Sequence, residues 1–118
     1  MHVLLIEDEP NIAEAMRFIL MRDGFRVSHV ADGALALDQV RRDPPDLVIL
    51  DHMLPGLSGL EILAALRADP ATCRLPVMML TARGRDRELA ERAGADRFIS
   101  KPFSNAEILA EVRAMLGR

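Results

Sequence analysis

The chain has 118 residues, enough for one domain with its own core, and a composition that is 50% hydrophobic with only four aromatic residues, all Phe, excludes disorder. Fifteen basic against 18 acidic residues give a net charge of −3, which argues against direct nucleic-acid binding because neutralising phosphates needs a basic face. No apolar run approaches the roughly 18 residues of a membrane span, Glu7-Asp8-Glu9 follows the first apolar run too closely for an exported leader, and the lone Cys73 forms neither an internal disulfide nor a zinc motif, so a soluble cytoplasmic protein is expected.

Val3 to Ile6 is a short, continuously apolar run, the pattern of a strand covered on both faces. Pro10 suits the first turn of a helix, whose apolar residues Ile12, Ala13, Met16, Ile19 and Leu20 fall at helical spacing before Gly24 ends it. Arg26 to Val30 reads as a second strand, followed by Asp32-Gly33 and a helix carrying Leu37 and Val40. Pro44-Pro45 breaks the chain before Leu47-Val48-Ile49-Leu50, the most apolar strand, which ends at Asp51. Leu54-Pro55-Gly56 turns the chain into a third helix marked by Leu60, Leu63 and Leu66. Pro76 opens the strand Val77 to Leu80, ending at Thr81. A charged helix over about 85–93 stops at Gly94; its arginines are interleaved with Asp86, Glu88 and Glu91, the pattern of a solvated face. A short strand near Phe98-Ile99 reaches Lys101-Pro102, and Ser104 with Glu107 forms a capping box for the last helix, with Ile108, Leu109, Val112, Met115 and Leu116 on one face.

Strand and helix alternate five times, which predicts a doubly wound α/β domain with a parallel sheet and helices on both sides. In such a sheet the site lies beyond the carboxyl ends of the strands. That rule selects Glu7, Asp8, Asp51, Thr81 and Lys101. Each acid alone is as readily a turn cap. Three at one sheet edge would repel each other, and a hard divalent cation such as Mg²⁺, taking carboxylates, waters and phosphate oxygens, is the natural compensation. Asp51 on its apolar platform is the candidate nucleophile for an aspartyl phosphate. Met53 offers no hard side-chain ligand, so it could serve the metal through its backbone carbonyl alone. Thr81 supplies a hydroxyl and small Ala82 an unobstructed N–H for phosphoryl oxygens. Fourteen of the 15 basic residues are Arg; the one Lys is Lys101, a compact charge suited to a crowded phosphoryl pocket.

The segments Leu4-Leu5-Ile6-Glu7-Asp8-Glu9-Pro10, Leu50-Asp51-His52-Met53-Leu54-Pro55-Gly56-Leu57-Ser58-Gly59, Leu80-Thr81-Ala82-Arg83, Gly94-Ala95-Asp96 and Lys101-Pro102-Phe103, in that order, resemble the receiver domain of bacterial two-component response regulators. The resemblance spans residues 1–118 as one domain and implies a flavodoxin-like, five-stranded sheet of order 2-1-3-4-5. It implies that Asp51 accepts a phosphoryl group from a sensor histidine kinase or histidine phosphotransfer protein. Asp8, Asp51 and the Met53 carbonyl would bind Mg²⁺, with Glu7 acting through water, while Lys101, Thr81 and the Ala82 N–H hold the phosphoryl oxygens. Thr81 and Phe98 would form the switch, biasing a surface of the fourth helix, fifth strand and fifth helix. The implied partners are that phosphodonor, a downstream protein or appended output domain, and a phosphorylation-dependent second copy. Catalysis would be limited to the domain's own phosphorylation and slow dephosphorylation.

Three departures bear on this. Thr81 to Gly94 is about two residues shorter than the family pattern, which shortens the fourth helix or its loop. Arg97 and Glu111 stand where the winged-helix class of regulators often pairs an acid with an arginine across a dimer, with both signs reversed; the pair either survives reversed or no dimer forms. Met53 and Arg83 offer no neutral amide or acid to orient a hydrolytic water, hence the expected slow dephosphorylation. No output segment follows Arg118, so a stand-alone regulator or an excised receiver is expected. The rival readings are a phosphate-independent interaction module on the same fold and an enzyme. For the latter, Glu7-Asp8-Glu9-Pro10 replaces the glycine-rich turn of a dinucleotide site, and Met53 replaces the second acid of an Asp-dependent phosphatase. His2, His29 and His52 read as terminal, edge or surface residues.

Overall fold

The structure is a computed structural model describing residues 1–52, 54, 56–81, 88, 91–100 and 103–117, with Thr81 described by its backbone alone. Strands β1 (His2–Ile6), β2 (Arg26–Val30), β3 (Leu47–Asp51), β4 (Val77–Thr81) and β5 (Arg97–Ser100) form one sheet in the order β2-β1-β3-β4-β5, and every pairing is parallel. The helices are α1 (Pro10–Arg22), α2 (Gly33–Arg42), α3 (Gly59–Ala68), α4, described at residues 88 and 91–93, and α5 (Asn105–Leu116). This is the doubly wound architecture expected from the alternation of elements.

Alternate strand residues feed two separate cores. Val3, Leu5, Leu47 and Ile49 pack with Ala13, Met16 and Leu20 of α1 and with Ile108 and Val112 of α5. Leu4, Ile6, Val48 and Leu50 pack with Ala36 and Val40 of α2 and with Ile62, Leu63 and Leu66 of α3. Cover on both faces explains why the central strands are apolar at successive positions and do not alternate. Burying each such side chain stabilises the fold by roughly 1.5–3 kcal/mol.

Helix starts follow from local chemistry. Pro10 occupies the first turn of α1. Asp32 caps α2 by accepting from the Ala34 N–H. Both α3 and α5 open on reciprocal capping boxes, Ser58 with Glu61 and Ser104 with Glu107. At the end of α1, Gly24 takes φ +94°, a conformation that lets Phe25 turn back into the core and donate its N–H to the Leu20 carbonyl.

β1 begins at His2, one residue earlier than its apolar run. His2 is buried, pairs with Arg26 across the sheet, donates its backbone N–H to Asp46 (2.7 Å) and lies 2.7 Å from the Ser28 hydroxyl through Nε2. A histidine satisfied on several sides can extend a strand that hydropathy alone ends sooner.

The amino-terminal edge of β4 and β5 is tied by one guanidinium. Arg67, near the end of α3, donates from Nε to the Gly94 carbonyl (2.9 Å), from Nη1 to the Leu75 carbonyl (2.7 Å) and from Nη2 to Asp96 (2.9 Å). Asp96 in turn accepts from the Val77 N–H at 2.8 Å. The opposite edge, where all five strands end, is left for polar chemistry.

Candidate functional site

Parallel pairing brings the strand ends into line. Ile6 pairs with Leu50, so Glu7 leaves β1 level with Asp51, the last residue of β3. Asp51 pairs with Leu80, and Thr81 with Ser100, so the backbones of β4 and β5 end beside the same crevice. Glu7 is fully buried, Asp51 is 3% exposed, and Asp8 is open to solvent. Carboxylate oxygens of the three acids lie within 4.8 Å of one another.

The turn that carries two of these acids is held from several directions. The Glu7 N–H donates to the Val30 carbonyl (3.1 Å), and its Oε1 accepts from the Glu9 N–H (3.1 Å). Its carbonyl accepts from Nε2 of His29 at 2.7 Å. On the other side of the crevice, the His52 N–H donates to the Leu80 carbonyl, and the Gly59 N–H returns to the His52 carbonyl, each at 3.1 Å. A methyl group at Gly59 would collide with the Asp51 carbonyl, and one at Gly33 with the Leu57 carbonyl. These close approaches press the start of α3 against the end of β3, and the start of α2 against the loop between them.

Two unit charges 4.8 Å apart at an effective dielectric of 20 repel by roughly 3 kcal/mol. A cluster with two buried members therefore favours a counter-charge. Its donors are all hard carboxylate oxygens, with an exposed member through which waters can complete a coordination shell. That donor set fits a hard divalent cation of the Mg²⁺ kind and not a soft or imidazole-preferring metal.

Of the residues singled out from sequence, Glu7, Asp8 and Asp51 are brought together. Met53, Ala82, Arg83 and Lys101 lie outside the described residues, as do the Thr81 hydroxyl and most of the segment between Thr81 and Gly94. Phe98 is half-buried against the core on the α2 and α3 side. Arg97 and Glu111 face each other within the one chain, Nε to Oε2 at 3.8 Å. His29 is exposed on the edge strand β2, as read from sequence, and is also bonded to the Glu7 carbonyl, while His52 is half-buried. The roles of His29 and Gly59 escape a reading of the sequence, since each depends on a backbone carbonyl that no local pattern places beside it.

The family model of the response regulator receiver domain matches residues 3–113. The chain belongs to that family. This receiver domain is 43% identical over 118 residues to the phosphate regulon transcriptional regulatory protein PhoB of Rhizobium meliloti, covering 98% of this chain and 52% of that protein. The receiver thus spans about half the length of the curated relatives it matches. Among solved structures, it resembles a putative response regulator from Chloroflexus aurantiacus at TM-score 0.93 and 34% identity, over 99% of this chain and 98% of that one. It also resembles the receiver domain of the sensor histidine kinase PA1611 from Pseudomonas aeruginosa at TM-score 0.90 and 33% identity, over 99% and 98%. That protein was crystallised with a magnesium ion coordinated in its active site cleft.

Proposed function

We propose that this receiver, residues 1–118 as one domain, accepts a phosphoryl group on Asp51 from a phosphohistidine of a sensor kinase or phosphotransfer protein. The observation that carries the reading is the convergence of Glu7, Asp8 and Asp51 within 4.8 Å at the carboxyl ends of adjoining strands. Asp8, Asp51 and the Met53 carbonyl would hold Mg²⁺, with Glu7 bound through water. The ion would supply charge compensation for the carboxylates and for the oxygens of the transferring group.

In the transfer, a carboxylate oxygen of Asp51 forms the new P–O bond as the P–N bond to the donor histidine breaks, and the imidazole leaves with the electron pair. Burial holds Asp51 in place against the Gly59 backbone, so little is lost in orienting it. Lys101, the only lysine of the chain, would meet the charge of the phosphoryl oxygens, with the Thr81 hydroxyl and Ala82 N–H as donors. Thr81 and Phe98 would then report the modified state to a surface of α4, β5 and α5. The reader of that surface would be a downstream protein, a phosphorylation-dependent second copy, or an attached output domain of the kind that the relatives' name as transcriptional regulators suggests. Such a pathway is cytoplasmic, and among the described residues no helix is long and apolar enough to cross a membrane.

Incubation with acetyl phosphate and Mg²⁺, followed by intact-mass measurement, tests the assignment. The expected result is a gain of one phosphoryl group that needs Mg²⁺, is abolished in Asp51→Asn, and outlasts seconds because Met53 and Arg83 do not orient water. No gain in the unaltered chain would favour a phosphate-independent interaction module.

A further inference from the structure

We propose that His29 is a positioning residue for the metal site, acting through the peptide plane that Glu7 and Asp8 share. The inference rests on the Mg²⁺ reading above. His29 stands next to last in β2, an edge strand, and its ring reaches the Glu7 carbonyl at 2.7 Å. A carbonyl oxygen can only accept, so Nε2 carries the proton and donates. The ladder between β1 and β2 ends at Ile6 and Val30, and the next carbonyl toward the site is that of Glu7. A side chain on the neighbouring strand thus provides a donor just past the last paired residues.

The peptide that His29 holds joins the carbonyl carbon of Glu7 to the nitrogen of Asp8. Its orientation therefore sets the directions in which both acids leave the backbone. Glu7 has further anchors in its own N–H bond to the Val30 carbonyl and in the bond from the Glu9 N–H to its Oε1, whereas Asp8 is exposed and depends more on the backbone beneath it. Mg²⁺ demands near-octahedral geometry at short distances, so a loosened plane penalises this ion in particular.

Calorimetric titration with Mg²⁺ of the unaltered chain, His29→Ala and His29→Gln tests the idea, together with metal-free amide spectra of Glu7, Asp8 and Glu9. His29→Ala should bind Mg²⁺ about two- to tenfold more weakly, the range that one hydrogen bond accounts for. Its Asp8 amide resonance should move before any metal is added. His29→Gln, whose amide nitrogen reaches nearly the same place, should restore affinity to within about twofold. His29→Ala binding like the unaltered chain, or His29→Gln as weak as His29→Ala, would overturn the role while leaving the metal reading intact. Failure of the unaltered chain itself to bind Mg²⁺ would overturn both.

Discussion

At the scale of single residues, Glu7, Asp8 and Asp51 set a conflict between stability and chemistry. Their mutual repulsion has a testable sign: in metal-free buffer Asp8→Asn should raise the melting temperature by a few degrees. Asp8 is exposed and screened, so the relief is about 1 kcal/mol, not the full pairwise value. On the proposed Mg²⁺ assignment, the order should reverse with millimolar Mg²⁺ present, because the unaltered chain alone would keep all the proposed ligands and be stabilised by mass action. A melting temperature unchanged by Asp8→Asn in the absence of metal would contradict the repulsion. These acids were legible in the sequence because three of them fell at one predicted edge, although each alone reads as readily as a turn cap. His29 and Gly59 were not. The first acts on a carbonyl 22 residues away, and the second is small because α3 begins against the Asp51 carbonyl. Neither fact follows from periodicity or composition.

Elements show the same contrast between local and distant causes. The Ser104–Glu107 capping box could be read directly, since an apolar helical face follows it. The equivalent Ser58–Glu61 box opens α3 with the same spacing. The start of β2 and the end of α2 are joined by a pair that sequence spacing does not reveal. Arg26 donates from both terminal nitrogens to Asp43, at 2.8 and 3.2 Å, and this hydrogen bonding holds the Asp43 carboxyl below the usual carboxylate range. A carboxyl whose pKa is lowered on folding adds stability above its unfolded value, near pH 4. That contribution fades as the pH falls through the lower folded value. The stability gap between the unaltered chain and Asp43→Asn should therefore be present at about pH 5 and close on acidification below about pH 4. Denaturant midpoints across that range would check it. A gap that widened with acid would show the sign to be wrong. The pair is solvent-exposed, so added salt should shrink the gap as well.

For the whole molecule, the alternation of elements determined the class of fold, but the order of strands came from family resemblance and not from any hydrophobic pattern. Periodicity shows that a strand is buried without naming its neighbour. The pairing of β1 with β3, which places Glu7 beside Asp51, is the fact on which the site depends. It is a tertiary fact, enforced by helices packed on both faces. The Arg67 clamp carries this reasoning into time. Two of its partners, the Gly94 carbonyl and Asp96, belong to the segment leading into β5, an edge strand and the last to emerge from the chain. If that segment docks after the central strands have collapsed together, the clamp closes late in folding. Interactions formed late in folding slow escape from the native state without hastening arrival. Arg67→Ala should accordingly unfold at least tenfold faster in denaturant jumps while refolding at nearly the unaltered rate; a slowed refolding limb would place the clamp in the nucleus instead. On that expectation, one guanidinium at the edge opposite the acids would act as a latch on lifetime.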